Sequence, residues 1–314
     1  MKRPLIILTG PTAVGKTSLS IRLAKAVGAD IISADSMQVY RGMDIGTAKI
    51  RPEEMEGVTH YLIDEIEPDE EFHVVRFQEL AKQYMEKIYE AGRIPLIVGG
   101  TGFYIQSVLY EIAFTEHEAD EKLRSRLAAI AEEKGAEYLH EELRRVDPAS
   151  AEIIHANNVK RVIRALEYYE QTGTPISKHN EEQRQKESPY EFAYFVLNDR
   201  RDLLYERINR RVDCMMQDGL LNEVKKLKDA GYSPDLVSMQ GIGYKEMLKH
   251  LNGEMTLKEA VESVKQETRH FAKRQVTWFK REKEVIWLDR QEYPEDDRLL
   301  KRMLDILKQK NILN

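Results

Sequence analysis

The sequence predicts an α/β fold: a parallel sheet flanked by helices and interrupted by a helical insertion. Three observations predict it. Short apolar runs alternate with amphipathic helical patterns through the first third of the chain, the signature of strands joined by crossover helices. From Glu116 to about Ser188 the strand-like runs stop and only helical patterns remain. At Phe192-Ala193-Tyr194-Phe195-Val196-Leu197 a buried-strand run returns, so the sheet resumes after the insertion. The expected domains are therefore a core from 1–115 and 189–314 and an insertion from 116–188.

The first element is Leu5-Ile6-Ile7-Leu8, an apolar run of buried-strand length. Gly10-Pro11-Thr12-Ala13-Val14-Gly15-Lys16-Thr17 follows, and then Leu19, Leu23 and Val27 at helical spacing. Strand, glycine-bracketed loop and helix together are the context of a phosphate-binding P-loop, which makes the core P-loop NTPase-like. The glycines let backbone N–H groups turn toward an oxyanion, and the helix N-terminus adds donors and the positive end of its dipole. Lys16 brings a positive charge to the terminal phosphates, and the Thr17 hydroxyl is a ligand for Mg²⁺. A di- or triphosphate is the expected ligand.

The next strand, Ala29 to Ala34, ends at Asp35-Ser36-Met37-Gln38, and a glycine-containing loop with Met43 to Lys49 comes after it. Thr59 to Asp64 reads as a short strand. Val74 to Ala91 reads as a helix with Phe77, Leu80, Tyr84 and Ile88 on one face. Ile94 to Val98 is the next strand, ending at Gly99-Gly100-Thr101-Gly102, with a helix from Phe103. In open parallel sheets ligands lie beyond the carboxyl ends of strands. The P-loop, Asp35 and the Gly99 to Gly102 turn should therefore share one crevice.

Insertion helices are expected at Ala119 to Lys134, Ala136 to Arg145, Ala149 to Ile154 and Val159 to Gln171. Gly173 and Pro175 stop the last of these, and Asn180 to Ser188 is a linker or an exposed helix. Past the returning strand come helices at Arg201 to Asp218, Leu220 to Ala230 and Thr256 to Arg281. A final strand at Val285 to Leu288 and a C-terminal helix complete the core, and the insertion falls between its third and fourth sheet strands.

Composition excludes several classes. Of 314 residues, 42% are hydrophobic and 32% charged, which describes a globular chain and not a disordered one. No apolar stretch has the form of a signal peptide or spans a bilayer, so no membrane association is expected. The single cysteine, Cys214, cannot form an internal disulfide, which suits a reducing cytoplasm; it reads as a small half-buried side chain. The net charge of -6 opposes indiscriminate nucleic-acid binding, yet three basic clusters stand out. They are Lys160, Arg161 and Arg164; Arg200, Arg201, Arg207, Arg210 and Arg211; and seven Lys/Arg against two acids between Lys265 and Lys283, with Arg269, Lys273 and Lys280 on one face. Such segregation is the footprint of a polyanion surface.

A P-loop alone does not define the reaction. Tyr61-Leu62-Ile63-Asp64-Glu65 or Ile31 to Asp35 has the form of a Walker-B strand. ATP hydrolysis, phosphorylation of a small metabolite by a P-loop kinase, and an NTP-switched RNA-binding protein all stay open on this evidence. Asp35 is either a turn cap or a general base in the crevice.

In order along the chain, these motifs closely resemble those of the bacterial tRNA dimethylallyltransferase (tRNA isopentenyltransferase) family. The residues that carry the resemblance are Gly10 to Thr17, Ala34 to Tyr40, Met43 to Lys49, His60 to Asp64 and Val98 to Gly102. Arg161 to Glu167, Gly241-Ile242-Gly243-Tyr244 and Thr268 to Gln275 continue it through the second half. In that family the run at Tyr61 to Glu65 is a strand of its own and not a Walker B. The resemblance implies transfer of the dimethylallyl group from dimethylallyl diphosphate to the exocyclic amine of the adenine 3′-adjacent to the anticodon of tRNA.

It also implies roles. Asp35, Thr101 and Lys16 would be catalytic. Gly10, Thr12, Ala13, Val14, Gly15, Lys16, Thr17 and Arg207 would bind the diphosphate, with Mg²⁺ on Thr17. Asp35, Ser36, Met37, Gln38, Thr101, Arg124, Lys160, Arg161, Arg164, Tyr244, Arg269 and Lys273 would meet tRNA. A monomer acting on the anticodon stem-loop in the cytoplasm is expected, without the Cys/His zinc-finger extension of eukaryotic relatives. At Gln240 many relatives carry a basic residue, so a tRNA contact there is not implied.

Overall fold

The computed structural model describes residues 2–114 and 120–313. The chain divides into two compact units, Met1–Leu109 with Pro189–Asn314, and Tyr110–Ser188. The boundary expected at 115/116 and the first residue of the helix expected from Ala119 lie outside the described residues.

In the first unit the order is β1 (Arg3–Thr9), α1 (Lys16–Val27), β2 (Ala29–Ala34), β3 (His60–Tyr61), α2 (Val74–Glu90), β4 (Ile94–Gly99) and α3 (Gly102–Leu109). The second unit carries α4 (Glu121–Lys134), α5 (Ala136–Val146), α6 (Pro148–Ile153), α7 (Val159–Thr172) and α8 (Ile176–Arg184). The first unit resumes with β5 (Tyr190–Asn198), α9 (Arg201–Asp218), α10 (Leu220–Asp229), α11 (Tyr244–Leu251), α12 (Leu257–Phe279), β6 (Val285–Asp289) and α13 (Asp296–Gln309).

The strands form one six-stranded sheet in the order β3-β2-β4-β1-β5-β6. Every pairing is parallel. Parallel sheets need helices on both faces, which is why the central strands are apolar without alternation. Leu5, Ile6, Ile7 and Leu8 of β1 are fully buried, and all residues of β2 are buried, the polar Asp30 and Ser33 included. On one face α1 packs Leu19 and Leu23 into a cluster that also takes Leu299, Met303 and Leu307 of α13.

The second unit has its own core. Leu123 and Leu127 of α4, Leu139 and Leu143 of α5, and Val162, Ala165 and Leu166 of α7 form a separate cluster. Its helices are stopped and started by local chemistry. Asp120 caps α4 by accepting from the Leu123 N–H at 3.0 Å, and Asp147 caps α6 through the Ser150 N–H at 3.0 Å.

Several expectations are corrected. The run from Thr59 to Asp64 pairs over only two residues, because Leu62 and Asp64 adopt left-handed backbone with φ of 63° and 54°. It is nevertheless an edge strand, so the insertion follows the fourth strand in sequence and not the third. On α2 the buried side chains are Phe77, Ala81, Met85 and Ile88, with Leu80 and Tyr84 at the margin of that face. The stretch from Asn180 to Ser188, expected as a linker or an exposed helix, is helical as far as Arg184, in a helix that starts at Ile176 directly after Pro175. The helix α11 is absent from the sequence reading, since its two turns fall below the length at which periodicity is legible. Cys214 is exposed, not half-buried.

Candidate active site

The register of the sheet builds the site. Thr9 at the end of β1 and Ala34 at the end of β2 are both in register with Gly99 at the end of β4. The three connections leave the sheet at one level, so the phosphate loop, Asp35 and the Gly99 to Gly102 turn converge on one crevice. The convergence is tight. A Cβ on Gly99 would lie 2.1 Å from the Ala34 carbonyl oxygen, which only glycine permits. The Thr101 N–H donates to the same Ala34 carbonyl at 3.2 Å, and the Thr9 hydroxyl donates to the Gly99 carbonyl at 2.6 Å.

The phosphate loop runs from Gly10 to α1, with Gly15 at φ 93° forming the N-cap position. Ala13 also sits in left-handed backbone, at φ 63°. Such a conformation persists where its surroundings hold it. The second half of the chain does the holding. Arg207 Nε donates to the Ala13 carbonyl at 3.1 Å, Arg290 Nη2 to the Gly15 carbonyl at 3.2 Å, and the Thr12 N–H is accepted by Gln275 Oε1 at 2.9 Å. Lys16 Nζ donates to the loop's own Gly10 and Pro11 carbonyls at 2.8 and 2.9 Å.

Charge in the crevice is under strain. Burial lowers the Lys16 ammonium to about 7, with the nearby Arg211 pushing the same way and Asp35 opposing. Burial likewise raises Asp35 above the ordinary carboxylate range, against the hydrogen bonds from Met37 and Gln38 and the charge of Lys16. Arg211 is itself lowered by burial. Two cations and one carboxylate thus share a water-poor space, an arrangement that gains from the arrival of a polyanion.

Asp35 answers both readings of its sequence position. Its Oδ1 accepts from the Met37 N–H at 2.9 Å and from the Gln38 N–H at 3.4 Å, so it caps the turn. Those contacts fix the carboxylate while leaving Oδ2 for other chemistry. Thr17 is exposed at the start of α1. Among the described residues no group of three or more His, Cys, Asp or Glu side chains is arranged to hold a metal. The crevice offers the oxygen donors Thr17 and Asp35, which suit a hard divalent cation sharing its ligands with a phosphate group.

Other expected site residues fall in different places. Gln38 directs its amide nitrogen to the Thr47 and Ala48 carbonyls at 3.3 and 3.4 Å. Arg207 pairs with the buried Asp199, so it braces the loop from behind. Tyr244 is 1% exposed, and its hydroxyl donates to Glu223 Oε1 at 2.7 Å. Glu223 in turn accepts from the N–H groups of Asp44, Ile45 and Gly46. Tyr244 is therefore a strut under the 44–46 loop and not an RNA-facing side chain. Asp64 pairs with Lys49 and Glu65 accepts from Tyr84 at 2.9 Å, which removes both carboxylates of the Walker-B-like run from the crevice.

The basic clusters separate. On α9, Arg200 pairs with Asp202, Arg207 with Asp199 and Arg210 with Glu206, so that cluster is largely neutralised. On α12, Lys273 is exposed, while Arg269 donates to Asn209 Oδ1 at 2.6 Å. In the second unit Lys160, Arg161 and Arg164 are exposed on α7. Arg124 and Arg164 both bond the fully buried Glu167, at 2.9 Å each. Burial alone would raise Glu167, but the bonds from the two arginines together hold it below its ordinary range. Among the residues that sequence reasoning missed are Gln275 and Glu167. Both lie inside quoted motifs, and neither spacing nor residue type reveals what they hold.

Fold and site together define a P-loop protein of the parallel α/β class, with Asp35 and Thr101 at the strand ends beside that loop. A family model described as IPP transferase matches residues 38–282, and the chain belongs to that family. It is 60% identical over 311 residues to the tRNA dimethylallyltransferase of Lachnoclostridium phytofermentans, covering 99% of both chains. It is 50% identical to that of Clostridioides difficile, covering 98% of each. Among solved structures, the full-length tRNA isopentenylpyrophosphate transferase of Bacillus halodurans matches with a TM-score of 0.74 at 44% identity, over 99% of this chain and 98% of that one. A eukaryotic dimethylallyltransferase acting on tRNA matches with a TM-score of 0.78 at 32% identity, over 91% of this chain and 74% of that one.

Proposed function

We propose that this protein transfers the dimethylallyl group of dimethylallyl diphosphate to the exocyclic amine of the adenine 3′-adjacent to the anticodon in tRNA. The observation that carries the reading is the shared level of three strand ends, which sets a P-loop beside Asp35 and Thr101. The chain's relatives bear the names of this activity.

The chemistry follows from those groups. The amine nitrogen forms a bond to the allylic carbon as the carbon–oxygen bond to diphosphate breaks, and the bonding pair leaves with diphosphate. Asp35 takes the proton that the amine loses; its raised pKa makes it a stronger base than an ordinary carboxylate. Lys16 and the loop N–H groups neutralise the charge that builds on the leaving group. Arrival of the diphosphate draws Lys16 away from the Gly10 and Pro11 carbonyls. Thr17 would hold Mg²⁺, which would add to the neutralisation of charge on the leaving group. Thr101 donates to the bridging oxygen or holds the amine. The adenine reaches the crevice by leaving its stack.

Lys160, Arg161 and Arg164 of the 110–188 unit and Lys273 of α12 grip phosphates of the anticodon stem-loop. Among the described residues no helix is long and apolar enough to cross a membrane; the protein works as a monomer in the cytoplasm. The test is incubation with labelled dimethylallyl diphosphate, bulk tRNA and ATP, followed by nucleoside analysis. Label in a tRNA adenosine with ATP unchanged supports the reading; ATP consumption with unlabelled tRNA refutes it.

A further inference from the structure

Gln275 lies on α12 and is only 6% exposed. Both ends of its amide are used, and both reach backbone of the crevice. Oε1 accepts from the Thr12 N–H of the phosphate loop at 2.9 Å. Nε2 donates to the Gly100 carbonyl, in the turn that carries Thr101, at 3.0 Å. The two partners fix the amide's orientation, since an N–H must meet oxygen and a carbonyl must meet N–H. The fit is close. A Cβ on Gly100 would come within 2.1 Å of Gln275 Nε2.

These contacts differ from those of the other braces. Of the two backbone segments, Arg207 and Arg290 each reach only the phosphate loop, their other bonds going to Asp199 and Asp296. Gln275 ties the loop to the neighbouring strand end. The same bond takes the Thr12 N–H out of the set of donors that can turn toward a phosphate, leaving that task to the N–H groups nearer α1.

We propose that Gln275 is a positioning residue for the transfer, its amide setting the spacing between the phosphate loop, which holds the leaving group, and the Thr101 turn. This rests on the reading given under Proposed function. Bond formation and bond cleavage occur at opposite sides of one carbon, so both sides must be held at a fixed separation. An amide of one fixed length, bonded at both ends, does this without touching either substrate.

Two variants test it, Gln275→Met and Gln275→Glu, measured against wild type for single-turnover rate, tRNA affinity, diphosphate affinity and thermal stability. Methionine keeps the volume and removes both bonds. Its turnover should fall by about 10–10²-fold, the usual effect of a small misplacement of reacting groups. Its tRNA affinity should stay within about twofold, since no RNA contact is removed. Glutamate can accept from Thr12 but, when ionised, repels the Gly100 carbonyl; when protonated it donates there and restores both bonds. The ratio of variant to wild-type turnover should therefore rise as pH is lowered from about 8 to about 6, with the titrations of Asp35 and Lys16 cancelling in the ratio.

A merely structural glutamine would lower stability in both variants without a pH-dependent ratio, and that result overturns the proposal. So does a single-turnover rate within about twofold of wild type in both variants, or a loss confined to tRNA affinity. If the methionine variant fails to fold, the pH series on Gln275→Glu decides alone. If wild type transfers no prenyl group, the functional reading has failed. The spacing claim then stands or falls on diphosphate affinity, which Gln275→Met should weaken.

Discussion

The phosphate loop and the basic face of α7, the two anion sites of the proposed function, are built in opposite ways. The loop is braced by four residues from three places in the second half of the chain: Arg207 and Arg211 on α9, Gln275 on α12, and Arg290 after β6. Its charges are half-buried, and desolvation displaces their pKa values. The α7 face carries Lys160, Arg161 and Arg164 in the open, and only Arg164 is tied to a buried carboxylate. A reacting diphosphate needs donors at fixed positions in a dry crevice, where each is worth most. An RNA backbone needs exposed charge at loose tolerance, and salt screens it.

The largest expected effect breaks the loop side of this contrast. Asp35→Asn should lower turnover by ~10²–10⁴-fold while leaving tRNA affinity in place, the usual range for loss of a general base. In wild type, turnover should fall as pH drops through an Asp35 pKa raised above the ordinary carboxylate range, because the base must be ionised. The Asn variant should lack that limb. A wild-type rate for Asp35→Asn would assign the proton to another group.

Next comes Lys16. Its folded pKa of about 7 lies below the usual lysine value of 10.5, so between those values the unfolded chain binds the extra proton. Stability from this group therefore rises with pH through that window. Bound diphosphate favours the charged form and reverses the shift, so at about pH 8 binding should take up a proton. Calorimetry in buffers of different ionisation enthalpy reads that proton directly, and Lys16→Met should abolish it. Thr17→Ala should raise the Mg²⁺ concentration needed for turnover.

Smaller effects probe the open side. Replacing Arg164 and Lys273 together by alanine should flatten the log–log salt dependence of tRNA affinity by about two units, one for each phosphate contact. Affinity for dimethylallyl diphosphate should not move. An unchanged slope would make these faces merely solvated. Glu167→Gln should lower stability by about 1–3 kcal/mol, because it weakens the charged hydrogen bonds to Arg124 and Arg164. Thermal unfolding measures this.

The two regions were also unequally legible in the sequence. The strand, glycine loop and helix at Leu5 to Val27 could be read directly, since phosphate binding demands those residue types in that order. Asp35 and Thr101 could be placed because parallel sheets put strand ends together. What holds the loop could not be read: Gln275 lies 263 residues from Thr12, and no local pattern encodes a bond across that distance. The α9 arginines looked like an RNA surface because their partners Asp199, Asp202 and Glu206 are visible only once the helix is folded. Tyr244 sits in a motif that reads as functional, yet burial against Glu223 makes it a strut.

The contrast between a fixed, half-buried crevice and the open, screened surface proposed to meet RNA is tested most directly by one salt series. tRNA affinity and the single-turnover rate of the preformed complex should be measured together as salt is raised, at saturating tRNA for the rate. The account predicts that affinity falls steeply, by about one power of salt per phosphate contact, while the rate of the bound complex stays flat. A rate that falls with the same slope as affinity would contradict it, because the charges that grip the RNA would then be part of the chemistry.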